Sequence, residues 1–295
     1  MLSAPNKYIL HIAEWFPNTN DPQLGIFIVK HLQVIQSFQK CLTIVIEGNK
    51  NMSHQFTIEK ENIHGLDIIK GVYRQYTGWQ QFRNRWNYWR LLHSILKQLE
   101  GPPLAIHVHA PRRSAILVKY FSKKWKCPYF ISEHWHGWLD QSYKVASSRK
   151  TFFKKAKAVS AVSTSLAKSI QKKTNAKVKI IPNIVPEIEV KKQKATKKKI
   201  LVVADLVDST KNISGILNAF KSFKIEHQDW SLDIIGDGPD AEKLFAYANE
   251  NKIKEKAIIE KEVKIIPIKR HEYRYISREY LPPNATIIWN NNVAT

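Results

Sequence analysis

The sequence predicts an α/β protein built from two parallel-sheet units joined by a basic linker. Three observations carry this reading. Short apolar, β-branched runs alternate with helical patterns from residue 7 to 183, the alternation breaks over a Lys-rich stretch, and it restarts at Ile200. Strands that alternate with helices are joined by crossovers, and crossovers impose parallel pairing. A length of 295 residues agrees with about two domains at roughly 150 residues each.

Lys7 to Ala13 reads as a short buried strand. It runs into a loop of turn formers, Pro17, Asn18, Asp21, Pro22 and Gly25. Ile26, Phe27, His31, Leu32 and Ile35 then fall on one helical face. Cys41 to Ile46 is a second strand dominated by β-branched residues, and Ile63 to Val72 a third. Trp79 to Leu99 is an aromatic-rich helix. Its Trp79, Phe82, Trp86, Trp89, Leu92, Leu96 and Leu99 repeat at three and four residues, which predicts a core-facing stripe. Arg83, Arg85 and Arg90 lie among the tryptophans, so contact with an anionic lipid surface is the alternative. Ala105 to His109 is a strand ending in the polar loop Ala110-Pro-Arg-Arg113. Pro128 to Ser132 is the next strand, followed by Glu133-His-Trp-His-Gly-Trp138. Ala158 to Val162 precedes a helix capped by Ser163, and Val178 to Ile181 leads to Pro182-Asn183.

These elements define a first domain over 1–185 and a linker over 186–199. A second domain over 200–259 holds strands Ile200–Ala204 and Leu232–Ile235, helices Ile213–Phe223 and Asp240–Asn249, and a third strand at Ala257–Ile259. A doubly wound sheet normally has about five or six strands, so this domain reads as incomplete. The tail 260–295 has no glycine and no clean period.

Apolar residues at 43% and aromatics at 11% exclude global disorder. Lys and Arg number 47 against 25 acids, a formal charge of +22. The stretch Lys144–Lys199 alone carries 17 of the basic residues against Glu187 and Glu189. Such an excess attracts an anionic partner. Nucleic acid is not expected, because no helix-turn-helix, zinc-finger or ribonucleoprotein motif is present. Two cysteines, Cys41 and Cys127, are too few for a disulfide framework or a thiolate zinc site. No apolar run reaches the roughly 18 residues of a membrane span, and the N-terminus lacks a secretory pattern. A cytoplasmic protein, peripheral at the inner membrane face, is the expectation.

Several short motifs occur in a characteristic order: Glu14-Trp-Phe-Pro17 with Gly25-Ile-Phe-Ile28 and His31, His107-Val-His109, and Ser132-Glu-His134. Ala161-Val-Ser163, Ile181-Pro-Asn183, Ala204-Asp-Leu206 with Lys211-Asn-Ile213, and Ile235-Gly-Asp-Gly-Pro239 follow. With these the chain resembles the retaining family-4 glycosyltransferases of the GT-B class over Lys7 to about Ile253. The resemblance implies two Rossmann-like domains, acceptor on the first and donor on the second. It implies transfer of a sugar, with retention, from a nucleotide-sugar to a lipid-linked or cell-surface glycan. His109 corresponds to the family's active-site histidine. Gly25, Lys211, Gly236 and Gly238 correspond to groups around the donor diphosphate, where backbone amides and a fixed cation offset the charge that develops on the leaving group. His134 and Trp135 belong to the acceptor side. No cofactor and no metal is required, since no Asp-x-Asp pair is present. Each of these residues also has a plain structural reading, as a strand-end histidine, a helix-flanking lysine or turn glycines.

The sequence departs from the family in three places, one of them the tail from Glu260, which resembles nothing in it. The position six before Lys211, an arginine in the family, is Asp205. The family's glutamate pair seven residues apart has no counterpart, which leaves a truncated, non-catalytic remnant that binds an acceptor or a membrane as the second reading.

Overall fold

The computed structural model describes residues 7–18, 21–99, 101–185, 198–251, 263–267 and 286–287. The chain forms two compact units that divide between Pro186 and Glu187. The expected linker lies outside the described residues, apart from Lys198 and Lys199, which open a strand.

The first unit runs β1 (Ile9–Ala13), α1 (Ile26–Gln36), β2 (Cys41–Asn49), β3 (Phe56–Ile63), β4 (Leu66–Arg74), α2 (Phe82–Gln98) and β5 (Ala105–His109). It continues with α3 (Ala115–Trp125), β6 (Tyr129–Glu133), α4 (Ser147–Lys155), β7 (Ala158–Ala161), α5 (Thr164–Thr174) and β8 (Val178–Ile180). The eight strands form one sheet in the order β3-β4-β2-β1-β5-β6-β7-β8. Pairing is parallel everywhere except between β3 and β4. The chain winds outward from β1 through β2 and then returns to place β5 on the other side of β1. That reversal is the topological switch point, where ligands bind outside the carboxyl ends of the strands.

Strand periodicity sorts the side chains onto two faces. Leu10, Ile12, Leu42, Ile44, Ile106 and Val108 join the main core, which also takes up α2, α3, α4 and α5 residues. Ala13 and Val45 point to the opposite face and pack with Ile28, Val29 and Leu32 of α1. The alternate positions on that second face include His11, Thr43, His107, His109, Ser132 and Ser160, a polar seam across five strands.

Two expectations are corrected. The third strand, expected at Ile63–Val72, is a hairpin, because His64 and Gly65 both take positive φ (56° and 78°) and pair Ile63 with Leu66 across a two-residue turn. Only the second half of the tryptophan stripe faces the core: Leu92, Leu96 and Leu99 are buried and Trp89 packs on that core, whereas Trp79, Phe82 and Trp86 are 82%, 62% and 62% exposed. The buried row of α2 is Asn84, Tyr88, Leu91, Leu92, Ile95 and Leu96, rotated from the expected one. Asn84 can be buried because its amide bonds both the N–H and the C=O of Tyr76. The Ser163 cap is present, its Oγ accepting from the Leu166 N–H.

The second unit contains β9 (Lys198–Val203), α6 (Asp208–Lys211), α7 (Ile213–Glu226), β10 (Trp230–Gly236), α8 (Ala241–Glu250), β11 (Val263–Pro267) and β12 (Thr286–Ile287). Its described strands form a parallel sheet in the order β11-β10-β9-β12. Leu206, Ile213, Leu217, Phe220, Leu232, Ile234, Leu244 and Ala248 make its core. The strand expected at Ala257–Ile259 lies outside the described residues. The neighbour of β10 is Val263–Pro267, in the stretch where no period is legible. Most of the tail 260–295 is likewise outside them.

Candidate active site

His109 ends β5 at the switch point and is fully buried. The chain turns at once: Ala110 adopts φ 49° and donates its N–H to the Ser132 carbonyl. A left-handed alanine is strained, and it opens the loop that follows β5. Glu14 holds that loop. Its carboxylate accepts from the backbone N–H groups of Arg112, Arg113 and Ser114 at 2.7–2.8 Å, and from Ser114 Oγ at 2.6 Å. The same contacts cap α3, whose N-terminus favours an anion.

Five histidines gather around the seam. His11 Nδ1 lies 3.3 Å from His109 Nε2, and His107 Nε2 lies 2.8 Å from Ser132 Oγ. The His134 ring stands 6.0 Å from that of His109 and 5.7 Å from that of His31. Burial first, and neighbouring imidazoles second, hold His11 and His109 well below the usual imidazole range. The same causes bring His107 down to about 4 and His134 to about 3. The cluster is therefore neutral near pH 7, and each ring can both donate and accept. Among the described residues, buried nitrogens of His11, His31, His109 and His134 have no hydrogen-bond partner. Ring nitrogens of His11, His107 and His109 lie within 4.8 Å of one another, a spacing a metal could use. The contact between His11 and His109 instead fits a shared proton between imidazoles. Sequence reading singled out His109 and His134 but missed the cluster. The signal was available: polar residues at every second position of otherwise apolar strands.

Gly25 lies in the β1–α1 loop as the left-handed N-cap of α1, with φ 66°. A Cβ there would stand 2.5 Å from the Trp15 carbonyl oxygen. Glycine is thus required by the protein's own backbone. Trp135 lies after β6 and is half-buried, packed edge-on to Tyr143 at 5.1 Å and under the Arg112 guanidinium at 5.3 Å. It helps line a pocket of about 590 Å³ formed by segments that follow β2, β4, β5 and β6, together with α2 and α4. His109 and His134 do not line this pocket, whereas Trp135 does.

In the second unit, Lys211 ends α6 and is followed by Asn212 in left-handed conformation, which starts α7. Asp208 caps α7 through the Ser214 N–H and hydroxyl. The loops after β9 and β10 are laced together, with the Leu206 N–H donating to the Asp237 carbonyl and the Asp240 N–H to the Leu206 carbonyl. Gly236 closes β10, and a Cβ on Gly238 would stand 2.5 Å from the Leu206 carbonyl oxygen. Asp205 precedes Leu206 in that laced loop, and Lys211 ends the short helix that follows it.

Two family models match in tandem, Glycosyltransferase Family 4 over residues 53–187 and Glycosyl transferases group 1 over residues 185–267. The chain belongs to the GT-B glycosyltransferases and is a glycosyltransferase enzyme. No curated protein matches it in sequence. Among solved structures, an α,α-trehalose-phosphate synthase (UDP-forming) from Burkholderia vietnamiensis superposes with a TM-score of 0.60 at 10% identity, over 89% of this chain and 73% of that one. A trehalose-6-phosphate structure from E. coli bound with UDP-2-fluoro glucose gives 0.56 at 10% identity, over 89% and 74%. A Candida albicans trehalose-6-phosphate phosphatase N-terminal domain gives 0.56 at 11%, over 90% and 75%. At these identities the likeness establishes the fold.

Proposed function

We propose that the chain transfers a sugar from a nucleoside-diphosphate sugar to a lipid-linked or cell-surface glycan, with retention of anomeric configuration. The observation that carries this reading is the polar seam ending in buried His109 at the switch point, in a chain that glycosyltransferase families match in both halves. In this reading the first unit takes the acceptor and the second the donor. The bond from anomeric carbon to diphosphate oxygen breaks, a bond to an acceptor hydroxyl oxygen forms, and the hydroxyl proton leaves with the diphosphate or to solvent. Neutral His109 orients a sugar hydroxyl. Lys211 and the amides around Gly25, Gly236 and Gly238 offset the charge on the departing diphosphate. These groups supply the positive field, so the reading needs no metal. Asp205 opposes that field, and Lys211 is then the principal cation of the donor side.

Peripheral attachment to the inner membrane face is part of the proposal. No described helix is long and apolar enough to cross a membrane. Exposed Trp79, Phe82 and Trp86, interleaved with Arg83, Arg85 and Arg90, support contact with an anionic bilayer.

A panel of uridine- and guanosine-diphosphate sugars, with nucleoside-diphosphate release as readout and product stereochemistry read by NMR, tests the reaction. Release with one or more donors and a retained product is expected. Absence of release from every donor, or an inverted product, would contradict it.

A further inference from the structure

We propose that the acceptor carries phosphate and that the 590 Å³ pocket of the first unit is its binding site. The proposal rests on the transferase reading above and names the acceptor class. The pocket walls come from the carboxyl ends of four strands. Lys50 follows β2, Gln75 to Thr77 follow β4, Arg112 and Arg113 follow β5, and Trp135 and Tyr143 follow β6. This is the side of a parallel sheet where ligands bind. Its volume falls within the range of small-molecule sites, roughly 300–1,000 Å³.

The lining is chemically one-sided. Lys50, Arg85, Arg112, Arg113 and Arg149 all line it, and among the described residues no carboxylate does. Two acids approach from behind and offset this field only in part, two carboxylates against five cations. Glu14 spends its oxygens on the backbone N–H groups of Arg112, Arg113 and Ser114, leaving the two guanidinium groups to point elsewhere. Glu133 lies 3.7 Å from Arg149 but also accepts from the His134 and Trp135 N–H groups, and burial pushes its carboxyl upward. Among the described residues, the buried Nε and Nη2 of Arg149 have no hydrogen-bond partner. Concentrating this many cations on one concave surface is unfavourable without an anion to bind.

The guanidinium groups are also held in place. Arg112 sits over Trp135, Arg85 over Trp89 at 4.7 Å, and Arg149 over Trp138 at 5.1 Å, while Arg113 donates to the Tyr73 hydroxyl at 2.8 Å. Pre-oriented guanidinium forks match the oxygen geometry of phosphate and lose little entropy on binding it. Trp135 and Tyr143 add aromatic surface to the wall, against which the apolar side of a sugar can pack. Gly25, assigned above to the donor diphosphate, does not line the pocket, which separates the two anion sites.

Isothermal titration of the full chain at physiological salt with glucose 6-phosphate, glucose and glucuronate tests the proposal. Glucose 6-phosphate is expected to bind at least about tenfold more tightly than the other two. The double variant Arg85→Ala/Arg112→Ala should lose that preference, as should Lys50→Ala in part. All three side chains are exposed, and circular dichroism checks that the variants fold. Vesicles of phosphatidylcholine with or without phosphatidylinositol 4-phosphate locate the phosphate. Sedimentation that needs the phosphoinositide and is lost in Lys50→Ala, a residue outside the membrane-facing helix, assigns a lipid-borne group, and its absence beside soluble binding assigns a free sugar phosphate. Equal affinity for glucose and glucose 6-phosphate would overturn the site. Equal affinity for glucuronate would overturn the phosphate assignment, and displacement of glucose 6-phosphate by uridine diphosphate would give the pocket to the donor. Donor turnover is read separately. A chain that hydrolyses nucleotide-sugar yet shows no phosphate preference refutes the pocket alone. One that binds the phosphate but turns over no donor refutes the transferase reading alone.

Discussion

Replacing Glu14 by alanine should unfasten the loop that follows His109. The carboxylate receives four short hydrogen bonds, three from consecutive backbone N–H groups and one from the Ser114 hydroxyl. Their loss is unequal. Arg112 and Arg113 are exposed, so water replaces Glu14 there at little cost, whereas Ser114 is fully buried and its N–H and Oγ lose a charged acceptor. Hydrogen bonds to charged groups contribute about 1.5–3 kcal/mol each, and part of that returns through relaxation, so the net loss is about 3 kcal/mol. For a unit of this size the loss lowers the melting temperature by roughly 6–12 °C. Glu14→Gln keeps one acceptor oxygen but sets an amide N–H against a backbone N–H, and about half the loss is expected. Urea unfolding followed by circular dichroism measures both. A Glu14→Ala variant within about 0.5 kcal/mol of wild type would refute the assignment of Glu14 as the loop's anchor.

Gly25→Ala combines a left-handed φ with a Cβ driven into the Trp15 carbonyl, and should cost about 2–4 kcal/mol in the same assay; a neutral effect would mean the β1–α1 loop is built differently. The histidine cluster makes stability fall with acid. The folded pKa values lie below the unfolded value, so stability is full above about pH 6.5 and falls below it as the unfolded chain gains protons first. The loss approaches 1.4 kcal/mol per pH unit for each histidine kept neutral, and for His107 it levels off near pH 4. A melting temperature flat between pH 7 and 4.5 would contradict the burial of the cluster. Exhaustive chelation with EDTA should leave nucleoside-diphosphate release unchanged, and its loss with recovery on adding divalent metal would bring a metal into the mechanism.

The strands buried on both faces were legible because nothing but a parallel-sheet core tolerates Cys41 to Ile46 or Ala105 to His109 in that context. The β3–β4 hairpin was not, because His64 in a left-handed turn lacks the asparagine or aspartate that signals such turns. The phase of the first turns of α2 was misread because tryptophan weighs heavily in any apolar count. Its buried row depends on Asn84 finding backbone partners at Tyr76, which no periodicity records. The site was half visible. His109 stood out at a strand end, but its neighbours His11 and His31 come from β1 and α1, and only the switch point brings them together. The cationic pocket was similarly hidden. Its arginines lie on three separate segments, and only Arg149 comes from the densest basic stretch of the sequence.

The most direct test compares nucleoside-diphosphate release from the best donor by wild type and by His109→Ala, with folding checked by circular dichroism. The account predicts steady release by wild type and a fall of at least about a hundredfold in the variant. Equal rates for the two proteins would remove His109 from the reaction and with it the placement of chemistry at the switch point.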